Sequence, residues 1–161
     1  KNVVTIALRL GEKEWAKNFI ANYNVYLQPA ERDNAYTYNM ANWHFFVLNY
    51  SKALKLLQCV EFTDLYYQLD ARSILLKTYF ETGDEEAFLF HVAAFKNFLT
   101  RSKLISAYQR TIFRNLIKYS LRLIRAAGNI KKAEVVKNEL NKTQEIADVR
   151  WLHQKVDAVI Q

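Results

Sequence analysis

Gly11-Glu12-Lys13-Glu14-Trp15-Ala16, near one end of the chain, is answered by Gly128-Asn129-Ile130-Lys131-Lys132-Ala133 near the other. Each run sets a glycine five positions before an alanine. Two weaker copies lie between them: Leu48-Asn49-Tyr50-Ser51-Lys52-Ala53, and Gly83-Asp84-Glu85-Glu86-Ala87, which is one residue shorter. The alanines fall at 16, 53, 87 and 133, so the spacings are 37, 34 and 46. A turn followed by a small residue on a helix, recurring with a period in the middle thirties, signals stacked helix hairpins.

Composition points the same way. Only three glycines and one proline occur in 161 residues, too few for the turns of an all-β or α/β fold. Half of the residues are hydrophobic (51%), enough for a continuous core, and one domain spanning 1–161 is expected. The chain opens with Lys1 directly in a helical pattern, so a piece of a longer polypeptide is expected. The single cysteine, Cys59, rules out an internal disulfide. Its apolar surroundings, Ala53 to Val60, predict a small buried core residue, and a reducing, cytoplasmic setting fits. No apolar stretch is long enough to span a bilayer.

The pattern predicts the tail of a helix over 2–10 and a helix over 12–27, with Trp15, Phe19, Tyr23 and Tyr26 on one stripe of the core-forming kind. Pro29 is expected to stop it, with acidic Glu31 and Asp33 opening the next helix, to about 46. A short helix over 50–60 follows. Thr63 or Asp64 caps the next, which ends at Gly83. Asp84 caps a helix to about 100, and a long helix covers roughly 104–127 until Gly128 ends it. Its partner runs over 131–141, and a last helix over 146–160 caps the array.

Charge is unevenly placed. Residues 1–80 hold nine Lys/Arg against seven Asp/Glu, and residues 81–161 hold fourteen against nine. No acidic residue occurs between 87 and 133. In the long helix Arg110, Arg114, Lys118, Arg122 and Arg125 follow at intervals of four, four, four and three, which puts all five on one face. Like charges at this spacing repel by a few tenths of a kcal/mol per pair, so an anionic surface is their natural complement. That surface could be internal, such as Glu81, Asp84, Glu85 and Glu86, leaving a solvated face, or it could be a ligand.

The chain resembles the tetratricopeptide repeat family. A turn glycine precedes a small residue near the start of a second helix, and a bulky residue follows four positions on. Ala16 is followed by Ile20 and Ala53 by Leu57, whereas Lys137 follows Ala133. Tyr79 meets the aromatic expected in the first helix, His44 and Ile124 replace it elsewhere, and Pro29 matches the family proline loosely. In style the chain is also similar to bacterial helical-repeat proteins of the Bacteroidetes type. The resemblance implies an all-α, right-handed superhelix of antiparallel hairpins with a C-terminal capping helix. It further implies a concave groove lined by the first helix of each unit. Lys118, Arg122 and Arg125, with Arg114 of the same stripe, would then face a partner. Tyr38, Asn39 and Asn42 of an earlier unit and Lys77 of the next would face the same side. Asn and Lys/Arg in such a groove can hold a peptide's backbone and its C-terminal carboxylate.

The function expected is a non-catalytic scaffold binding a partner peptide or protein, of acidic character. Two alternatives are electrostatic nucleic-acid binding through helix 104–127, with Tyr108 and Tyr119 as stacking candidates, and a structural spacer within a larger protein. Catalysis, cofactor and metal are not expected. His44, His91 and His153 lack ligand spacing, and there is no phosphate-cradling glycine loop or nucleophile elbow. His44 and His91 are expected as packed core residues.

Overall fold

The computed structural model describes residues 2–60 and 64–161. Among them the chain forms nine α-helices, one 3-10 turn and no strand. It divides into two compact units, Lys1–Asp84 and Glu85–Gln161.

In the first unit α1 (Asn2–Arg9) and α2 (Lys13–Tyr23) form a hairpin. A 3-10 turn (Asn24–Tyr26) follows, then α3 (Pro29–Phe46), α4 (Tyr50–Gln58) and α5 (Leu65–Thr82). α3 packs against all four of the others. Val4, Ala7, Leu8, Ala16 and Ile20 make one cluster, closed by half-buried Phe19, Met40, Trp43 and Phe46. In the second unit α6 (Glu85–Arg101) packs on α7 (Ala107–Arg125), and α7 also meets α8 (Ile130–Lys142) and α9 (Val149–Ile160).

The recurring sequence motif is a recurring backbone state. Gly11, Gly83 and Gly128 all have positive φ, and so does Leu48 at the glycine position of the weakest copy. The turns at Gly11 and Leu48 match bond for bond. The residue after each donates to the carbonyl five back, Glu12 to Ala7 at 2.9 Å and Asn49 to His44 at 2.8 Å. Each turn residue itself donates to the carbonyl three back. This is the Schellman arrangement, which needs a left-handed residue to satisfy the last carbonyls of a helix. Asn49 and Asn129 then cap the following helices by accepting from Lys52 and Lys132 N–H. Five residues after the turn residue come Ala16, Ala53 and Ala133, all with no exposed surface. In the shorter copy that place belongs to Phe88, also fully buried, and not to Ala87, which is half-buried.

Several boundaries differ from the sequence expectation. Pro29 does not stop α2, which has already ended at Tyr23; it is the first residue of α3, where its missing N–H costs nothing and its fixed φ suits the helix. α7 begins at Ala107 because Ser106 and Gln109 form a reciprocal capping box. α9 begins at Val149. Residues 143–147 are tied instead to α7, through Tyr119 to Thr143 (2.7 Å), Asn115 to Glu145 (2.8 Å) and Ala147 N–H to Ile112 (3.1 Å). Asp64 caps α5 by accepting from Tyr67 N–H at 2.9 Å; Thr63 lies outside the described residues. Cys59 is exposed and not buried, because α4 ends at Gln58 and the chain turns there, leaving Ala53, Leu57 and Val60 to fill the core.

His91 is buried beside Phe95, at 6.0 Å between rings. His44 packs edge-on against Trp43, and its Nδ1 is buried without a partner. Burial, reinforced by Lys52 and Lys17, holds its pKa below the ordinary 6.5.

Two stability predictions follow from these sites. Left-handed φ costs an L-residue about 1–2 kcal/mol, and Leu48 is largely exposed, so Leu48→Gly loses little burial. After the entropy of glycine in the unfolded chain, a net gain of roughly 0.5–1 kcal/mol is expected in chemical denaturation. Because the unfolded chain binds a proton at His44 more readily than the folded one, stability falls as pH drops through and below 6.5. Thermal melts across that range should show a loss that is smaller in His44→Gln.

Candidate partner-binding surface

α7 exposes a basic stripe because its other side is filled by core residues. Phe113, Leu116, Ile117, Ser120 and Leu123 are buried, and Ser120 bonds back to Leu116 at 2.8 Å. The stripe's five cations then divide by direction. Arg110, at one edge, turns onto the end of α6. Its guanidinium donates to the carbonyls of Leu99, Ser102 (3.3 Å), Ile105 (3.2 Å) and, at 3.4 Å, Thr100. These are the last carbonyls of a helix and its following turn, where the dipole is negative, so a cation there stabilises the α6–α7 connection.

Arg122, at the other edge, turns onto α8. It grips both carboxylate oxygens of Glu139, one at 2.9 Å. That hydrogen bond, with the nearby charges of Arg122, Lys118 and Lys142, holds the Glu139 carboxyl below its ordinary range, while the Arg122 guanidinium is raised.

The centre of the stripe stays outward. Arg114 is exposed, and its one hydrogen-bond partner among the described residues is Thr100 Oγ1, at 3.5 Å. Lys118 is exposed, 4.0 Å from Glu139 and 4.9 Å over the Tyr119 ring. Arg125 is exposed and has no partner among the described residues. Thr100 also bonds Lys96 O, so exposed Lys96 shares the α6 face that adjoins Arg114. Treating α7 alone missed Lys96; the signal lay in the acid-free run, which includes α6. The second unit as a whole holds fourteen Lys/Arg against seven Asp/Glu, whereas the first holds nine of each.

The remaining expected residues lie inside the first unit. Tyr38, Asn39, Asn42 and Lys77 are all buried. Tyr38 meets Tyr67 edge-on at 5.0 Å, Asn42 donates to Thr5 on α1 at 3.2 Å, and the Lys77 ammonium sits 5.0 Å over the Phe45 ring. Asn39 Oδ1 is buried without a partner. The reason is the position of α3 and α5. α3 is packed on several sides, so its polar residues are enclosed with the apolar ones. Of the two aromatic stacking candidates, Tyr108 is exposed, but Tyr119 is buried with its hydroxyl bonded to Thr143.

Among the described residues no group of His, Cys, Asp and Glu gathers in a metal-holding cluster, and no helix is long and apolar enough to cross a membrane. No family model matches the sequence, and no curated protein or solved structure matches it.

The division of the stripe is testable by stability alone. Arg110→Ala should cost about 2 kcal/mol, the scale of charged hydrogen bonds lost from a half-buried site. Arg114→Ala should stay within about 0.5 kcal/mol of the parent protein, as expected of an exposed side chain. Urea denaturation of the two variants checks both.

Proposed function

We propose that this chain is a non-catalytic interaction module that receives an acidic protein or peptide segment on the outward face of α7. We further propose that its hairpins stack in the right-handed superhelix of the tetratricopeptide type. The single observation behind the binding reading is the exposed cationic centre of α7. Arg114, Lys118 and Arg125 point outward from one helix face, and among the described residues Glu139 is their one acidic partner. Arg110 and Arg122 on the same helix are already engaged internally. Repulsion between Arg114 and Lys118 is relieved when carboxylates approach, and carboxylates accept bidentate bonds from Arg.

Support for stacked hairpins comes from the left-handed turn residues 11, 48, 83 and 128, at intervals of 37, 35 and 45. A protein partner is favoured over nucleic acid by the fate of Tyr119. A single-strand site needs several exposed rings beside the phosphate-binding groups, and of the two candidates Tyr119 is in the core while Tyr108 alone is exposed. Tyr38, Asn39, Asn42 and Lys77 have no part in this version of the site.

The test is fluorescence anisotropy with a labelled polyglutamate peptide and, in parallel, a labelled single-stranded DNA. The peptide should bind and weaken with added salt. Arg114→Glu/Lys118→Glu/Arg125→Glu should lower its affinity on the order of a hundredfold, from three lost ion contacts and three repulsions of roughly 0.5 kcal/mol each. Tighter binding of DNA than of peptide would transfer the site to nucleic acid. Binding of neither would leave the stripe a solvated face.

A further inference from the structure

The aromatic stripe of α2 does not lie in the core. Its rings form a stacked ladder along the outside of the helix. Trp15 and Phe19 stack at 5.0 Å, Phe19 and Tyr23 at 4.5 Å, and Tyr26 leans on Tyr23 at 5.6 Å. Only Phe19, in the middle, reaches the core cluster. On the neighbouring helix α1, Val3, Ile6 and Leu10 form a second exposed apolar stripe. These three and Trp15, Tyr23 and Tyr26 are each between 48% and 79% exposed.

The α1 stripe and Trp15 of α2 lie away from α3, whereas the 3-10 turn that carries Tyr26 packs against it. On α1 the position that meets α3 is Thr5, which accepts from Asn42. By helical rotation it lies roughly opposite the Val3-Ile6-Leu10 stripe. On α2 the contacts to α3 come from the Lys13 carbonyl, which accepts from Trp43 Nε1 at 2.9 Å, and from Lys17 over the Trp43 ring at 5.0 Å. Those positions lie roughly opposite Trp15. The hairpin therefore buries one side against α3 and leaves the other side as an apolar face.

The chemistry of that face narrows its occupant. Stacking consumes the faces of the inner rings, so neither a base nor a sugar ring can lie on them, and ring edges and aliphatic groups remain. No charged residue occurs from 18 to 30, and the polar groups between the rings are the exposed amides Asn18 and Asn22. The charges nearer α1 and Trp15, Arg9, Glu12, Lys13, Glu14 and Lys17, are exposed and of both signs, so two copies can meet there without net like-charge repulsion. The six side chains expose apolar area on the order of 500 Å². Two copies joined through it would bury on the order of 1,000 Å², the lower bound for a specific interface and the range of a weak, reversible one.

We infer that the outer face of the α1–α2 hairpin is a self-association surface, through which two copies of this chain pair about a two-fold axis. In such an isologous contact α2 of each copy lies against α2 of the other, so Trp15 and Tyr23 are buried twice over. The inference is independent of the basic stripe on α7.

Sedimentation equilibrium of the full chain, from micromolar to its highest soluble concentration, is the test. A reversible dimer is expected in the parent protein. Trp15→Glu and, separately, Ile6→Lys should each abolish it with unchanged helical circular dichroism, since both side chains are largely outside the core. Lys118→Glu should leave the dimer intact. A monomer across the whole range, or a dimer that survives in both folded variants, overturns the proposal.

Discussion

The fold of each unit depends on one backbone constraint that recurs along the chain. A helix that must reverse direction within three residues leaves carbonyls unpaired, and a left-handed residue at the turn returns the chain so that its next amides pair them. Residues 11, 48, 83 and 128 all take that state, three as glycine and one as leucine. Leucine at 48 carries the conformation at an energetic cost, and the matching hydrogen bonds of its turn and that at Gly11 show what holds it there. Each left-handed residue is followed five positions on by a fully buried side chain, and within the units, at 11, 48 and 128, one dihedral sets both the reversal and the packing register.

Electrostatics in the second unit follow from the same packing. α7 is flanked by α6 and α8, and each flank takes one arginine from the stripe's edge. Arg110 closes the negative end of α6, and Arg122 meets Glu139 of α8. These contacts explain why so many cations are tolerated on one helix without an acidic residue of its own. They also separate Arg110 and Arg122 from the exposed Arg114, Lys118 and Arg125, whose contacts are a long bond to Thr100, a 4.0 Å approach to Glu139 and, for Arg125, none among the described residues.

Helix existence was legible because hydrophobic period, glycine punctuation and low Gly/Pro content all point to one answer. Helix ends were less so. The box formed by Ser106 and Gln109 is a local signal that a capping reading could have found, whereas the binding of 143–147 to α7 depends on residues distant in sequence. The basic face of α7 was legible from spacing, but its division was not, because the partners of Arg110 lie 5–11 residues back in the end of α6 and the turn after it, and that of Arg122 lies 17 residues on in α8. For Tyr38, Asn39, Asn42 and Lys77, polarity pointed to a surface. Side chains with an apolar body and a polar tip can be enclosed wherever a neighbour accepts the tip, as Thr5 does for Asn42 and the Phe45 ring for Lys77.

The amino-acid sequence by itself determined the helical class, the positions of the chain reversals, and the concentration of positive charge between 87 and 133, because each is written in near-neighbour spacing. Tertiary structure alone decided which stripes face inward. Trp15 and Tyr23 have the period of a core yet lie outside, with only Phe19 between them reaching the core, while Tyr38, Asn39 and Asn42 of α3 lie within. Periodicity establishes that a helix has two different faces. Which of them is buried depends on how many other helices surround it, and that is a property of the assembled unit.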